Sequence, residues 1–108
     1  MKSIFALVLS TLSFIALAGS TTGYVNHFVA HHDGDKFHKF DVALDGTAPN
    51  QPSVYNNGTY SGDLTTEAGK AHYSILLSAA MANREVKIDG QSSCFHDREE
   101  VRNVHIKF

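Results

Sequence analysis

The chain has 108 residues with 9 basic and 11 acidic side chains, a net charge of −2 and one cysteine. That length holds one domain with a modest core, and a single cysteine excludes an intrachain disulfide as its staple. Lys and Arg are scattered rather than clustered, which argues against a nucleic-acid partner, because affinity for a phosphate backbone is carried by grouped cations.

Residues 1–18 read as an export signal. Lys2 supplies the positive start, the stretches 4–9 and 12–17 are apolar, and Ala16-Leu17-Ala18 is the small-x-small pattern after which a signal peptidase cuts. A membrane anchor would need roughly 18–20 continuous apolar residues, and this run is broken by Ser10, Thr11 and Ser13. Leu17-Ala18-Gly19-Ser20 resembles a lipoprotein box with Ser20 where the lipid-bearing cysteine would stand, so no lipid attaches there. The expectation is cleavage after Ala18, a secreted or periplasmic protein with no membrane anchor after cleavage, and one small domain over 19–108.

The mature region opens with Gly23 to His31, rich in aromatic and β-branched residues, a first strand. Asp33-Gly34 is a hairpin signal, and Phe37 to Leu44 alternates as a second strand. Residues 45–62 are loaded with Gly, Pro, Asn and Ser and read as loop, with a short strand near Tyr55 or over Tyr60 to Leu64. Thr65 or Thr66 is the N-cap of the one strong helix, Ala68 to Ala82, and Asn83 closes it. Tyr73, Leu76, Leu77 and Ala80 share its buried face. Glu85 to Asp89 alternates as a strand ending at Gly90, Glu99-Glu100 reads as a solvated turn, and Glu100 to Phe108 is the last strand, with Val104, Ile106 and Phe108 on one face. Three strands, one helix and two strands make a mainly β protein with one helix (α+β), in the chain order of the OB-fold, a five-stranded small barrel.

The run Ala68-Gly69-Lys70-Ala71-His72-Tyr73-Ser74-Ile75-Leu76-Leu77, followed by Val86-Lys87-Ile88-Asp89-Gly90, by Cys94 and by Glu100-Val101-Arg102-Asn103-Val104-His105-Ile106, resembles a group of small secreted bacterial proteins with an AGKAxYSxLLxA helix. More distantly, the helix-plus-strand arrangement is similar to the OB-fold binding subunits of subtilase-type AB5 toxins, which are pentamers that recognise glycans. The resemblance implies an extracellular glycan or protein ligand and a homo-oligomer. In the bacterial group a second cysteine often follows the second strand and could pair with the later one; here residues 45–63 hold none.

Local chemistry is dominated by seven histidines. With Asp33-Gly34 at the centre of the turn, His27 pairs with Phe40 and Val29 with His38, and His27, His31 and His38 project from one face. Three imidazoles with Asp33 and Asp35 nearby form a candidate Zn²⁺ or Cu²⁺ site, although no spaced metal motif accompanies them. Cys94 stands as a free thiol, read as a partly buried small hydrophobe or as one half of an intermolecular disulfide. Tyr55 and Tyr60, set in a polar stretch, are the candidate platform for a sugar ring or partner protein. No GxSxG elbow, phosphate-cradling loop or spaced carboxylate pair is present, so the reading is a non-enzymatic binding module with no cofactor. The alternatives are a periplasmic histidine-based metal-binding protein and a secreted structural protein without a small ligand.

Overall fold

The computed structural model describes residues 19–46, 51 and 58–108; residues 1–18 and Tyr55 lie outside the described residues. The elements are β1 (Ser20–Gly23), β2 (Val25–Asp33), β3 (Lys36–Leu44), β4 (Thr59–Asp63), α1 (Glu67–Met81), β5 (Val86–Phe95) and β6 (Arg98–Ile106). The strands form one sheet in the order β1-β5-β6-β4-β3-β2. Every pairing is antiparallel except β4 with β6, which is parallel. A parallel pair needs a long crossover, and α1 with β5 supplies it. The two ends of the strand order are neighbours in the chain, so the sheet curls into a small, partly open barrel of OB-like topology.

The first strand is split where the sequence reads as one. Between β1 and β2, the Tyr24 amide donates to the Asp45 carboxylate at 2.8 Å and the Tyr24 carbonyl accepts from the Asp45 amide at 3.1 Å. Those bonds take Tyr24 out of either ladder, and the chain passes from β5, where Thr21 faces Ile88, to β3, where Val25 faces Leu44. Five expected strands become six for this reason.

The β2–β3 hairpin turns at Gly34-Asp35, one residue later than expected, with Gly34 at φ +69°. Asp33 then faces Lys36, and a bulge follows: His32 faces Phe37, but His31 faces Lys39, leaving His38 outside the pairing. His27 consequently faces Ala43 and Val29 faces Asp41, which corrects the expected partners Phe40 and His38.

Both ends of α1 are capped. The Thr66 hydroxyl accepts from the Gly69 amide at 3.0 Å, and Glu67 places negative charge in the first turn. At the other end Asn83 takes a left-handed φ of 54°, with the Arg84 amide reaching the Ala79 carbonyl at 2.9 Å and the Asn83 amide reaching Ala80. Leu76 and Ala79 are buried against Phe40, Val42, Leu44, Tyr60, Val86, Ile88 and Val101, and Phe28 and Tyr73 pack on this core. Leu77, expected inside, is 41 % exposed, and Phe108 lies beyond β6 at 97 % exposure, where the Arg84 guanidinium sits 5.6 Å from its ring. β5 runs through Gly90 to Phe95 rather than stopping at the glycine. Glu99, read as part of a solvated turn, is wholly buried.

Candidate functional site

Tyr60 is not a surface platform. It stands on β4 between β3 and β6, has no exposed surface, and its hydroxyl shares a 2.8 Å hydrogen bond with the Thr21 hydroxyl. Burial pushes its phenol up to about 12 despite the Thr21 hydrogen bond, with the nearby Glu99 adding to the rise. Tyr55 lies outside the described residues.

The histidine trio is divided by the register. His27 and His31 line one hollow of about 200 Å³ together with Asp41, Thr59 and Arg98. Within it the buried Asp41 carboxylate is held by His31 Nε2 at 2.9 Å, Lys39 Nζ at 3.4 Å and Arg98 at 3.5 Å. His38 opens into a different hollow, with its ring centroid 6.0 Å from that of His96. Asp33 lines that second hollow, while Asp35 is exposed in the turn. Among the described residues no group of three or more His, Cys, Asp or Glu side chains is placed to hold a metal ion. Cys94, expected to be partly buried, is exposed on β5 opposite Glu99.

A cleft between the hairpin and α1 gathers what a ligand would need. Ala30, Phe37, Leu64, Lys70 and Tyr73 enclose about 310 Å³. The hollow at His38 and Asp33, about 590 Å³, adjoins this cleft, shares Phe37, Leu64 and Lys70 with it and adds Lys36 and Thr65. The bulge and the late turn put Phe37 here at the end of β3, 58 % exposed, with the His32 ring edge-on at 5.8 Å. The helix contributes Tyr73, whose ring lies 5.0 Å from Phe28 and 5.9 Å from Phe40, so one wall of the cleft is continuous with the core. Aromatic walls with charged groups at the rim suit a ligand with an apolar face and polar edges.

A third hollow under the first turn of α1 holds titratable groups, yet at about 90 Å³ it is far below the ~300 Å³ at which small-molecule sites begin. Hydrogen bonds from the Thr65 hydroxyl and amide hold Asp63 below the usual carboxylate range. Burial, and then the charge of Asp63, raises Glu100 on the other side, and burial lowers His72.

No family model, no curated protein and no solved structure matches this chain.

The sequence gives no reason to select Phe37, Lys70 or Tyr73 for a site: Phe37 only opens an alternating strand, and Tyr73 shares the buried face of the helix. The missed signal was the bulge at His38, which puts Phe37 on the same face of the hairpin as Ala30 and Phe40, where it lines the cleft with Lys70 and Tyr73.

Proposed function

We propose that this chain is an exported, non-enzymatic binding module whose hairpin–helix cleft takes an extracellular carbohydrate. The observation that supports this reading is Phe37, a large ring left more than half exposed at the mouth of a cleft whose other wall is Tyr73. A sugar ring lays its C–H face on such a surface and turns its hydroxyls outward. Lys36, Lys70, Asp33 and Thr65 stand at the rim to meet them. Export is supported by residues 1–18, and no helix among the described residues is long and apolar enough to cross a membrane.

The test is a glycan array on the mature protein, followed by calorimetry with Phe37→Ala. Binding should fall at least tenfold while the melting temperature holds, because an exposed ring contributes little to the core. Array binding that Phe37→Ala leaves unchanged would move the site elsewhere. A silent array together with capture of a single extracellular protein would replace the carbohydrate by a protein ligand. The native mass, read on the same sample, distinguishes a monomer from a ring of about five subunits, the assembly that the toxin-subunit resemblance implies.

A further inference from the structure

Glu99 is a buried carboxyl group with no cation beside it among the described residues. It is wholly buried, the Gly19 and Ser92 amides donate to its Oε2 at 3.0 and 2.9 Å, and among the described residues its Oε1 has no hydrogen-bond partner. Among the described residues it makes no salt bridge. A carboxylate taken out of water with one oxygen unsatisfied is costly unless a compensating charge reaches it.

The surroundings are nevertheless built around this carboxylate. A side chain at Gly90 would occupy the carboxyl group's own space, and a Cβ at Gly19 would come within 2.5 Å of Oε1. β5 carries extra residues across this interval: Gly90 faces Val101 while Cys94 faces Glu99, and Ser92 sits at φ +66°, which brings its amide over the carboxylate. Gly19 is buried and is tied down through its carbonyl by the Gly90 amide at 2.8 Å. Gly19 is also the residue that cleavage after Ala18 would make the first of the mature chain.

We propose that removal of residues 1–18 completes this site: the new α-ammonium of Gly19 is the buried cation that pairs with Glu99. The proposal rests on the export reading. Hydrolysis of the Ala18–Gly19 peptide bond consumes one water, leaving a carboxylate on Ala18 and an amine on Gly19, which takes up a proton to become an ammonium. In the uncut chain the Gly19 nitrogen is an amide with one hydrogen, already committed to Oε2. After cleavage the same nitrogen carries three hydrogens and a positive charge, enough to serve Oε1 as well. The fold of the mature protein is therefore more stable than that of its precursor, and the gain is confined to processed molecules.

The mass of the protein exported from the full-length gene comes first, and residues 19–108 are the expected product. A different N-terminus overturns the cleavage reading and the proposal with it. Next, the melting temperature of 19–108 is compared with that of its Nα-acetylated form, in the parent and in Glu99→Gln. Acetylation keeps an N–H donor and removes the charge, so it should lower the parent's melting temperature by about 5 °C or more and leave Glu99→Gln nearly unmoved. No loss in the parent, or equal losses in both, overturns the ion pair while leaving the cleavage site intact. If Glu99→Gln does not fold, reductive methylation of the folded parent decides. The Gly19 amine should be methylated at least tenfold more slowly than in urea, and equal rates overturn the pair.

Discussion

Tyr60 shows what a single position owes to its neighbours. Its phenol is held at about 12, chiefly by burial. A group whose folded value is raised above its unfolded one stabilises the fold fully below the unfolded value, here about 10, and that contribution disappears as the pH climbs through the folded value. Ultraviolet titration should therefore find a late tyrosine component, still protonated at pH 11 and released only as the chain unfolds, and Tyr60→Phe should abolish it. Complete ionisation in a chain that is still folded would refute the assignment. The same substitution leaves the buried Thr21 hydroxyl without its partner, at a cost of about 1–3 kcal/mol. Neither Tyr60 nor Glu99 was legible as an interior residue, because each sits in a polar run. Their burial comes from β4 and β6 lying side by side, and nothing within a few residues of either announces that.

At the scale of the element, α1 was the most legible part of the molecule. Its caps, its first-turn acid and its closing Asn83 are all local chemistry, and Thr66, Glu67 and Asn83 act as their types suggest. Gly69 is the exception within it. Alanine would normally gain up to ~1 kcal/mol over glycine inside a helix, but a Cβ here would fall on the Asp63 carbonyl carbon and oxygen. The first turn of α1 is laid directly on the end of β4. Gly69→Ala should thus lower the melting temperature by several degrees and disturb the Thr66 cap, a result that thermal denaturation monitored by circular dichroism would read; an unchanged or higher value would mean that the helix shifts freely. The hairpin was less legible. In Asp33-Gly34-Asp35-Lys36 either Asp33-Gly34 or Gly34-Asp35 can centre the turn, and a shift of one residue exchanges every cross-strand partner. The bulge at His38 then separates that residue from His27 and His31, which is why the metal constellation drawn from the sequence is not assembled.

At the scale of the whole molecule, the order of periodicities was enough to give the β-β-β-α-β-β arrangement, since each element carries its own repeat. Closure was not legible, because the break at Tyr24 depends on Asp45, 21 positions away. β1 is only four residues long, yet it covers the edge of β5, with Ser20 facing Asp89 and Gly23 facing Val86. Removing residues 19–23 should strip that edge and take away the Thr21 partner of Tyr60, leaving a strand open to pairing with other chains. Size-exclusion chromatography of the shortened protein should show self-association and loss of the cooperative melting transition; a well-behaved monomer would show that the barrel holds without its seam.

The split strand also sets a timetable. Ser20 and its partner Asp89 are separated by most of the chain, and β1 has no partner in the sheet until β5 is in place. β2 and β3, joined by a tight turn, can pair at once, whereas the seam must wait for most of the chain to be made. Contacts so distant in sequence are slow to form. The pairing made by the earliest described residues thus waits for β5, and until it forms a bare strand edge remains for other chains to find.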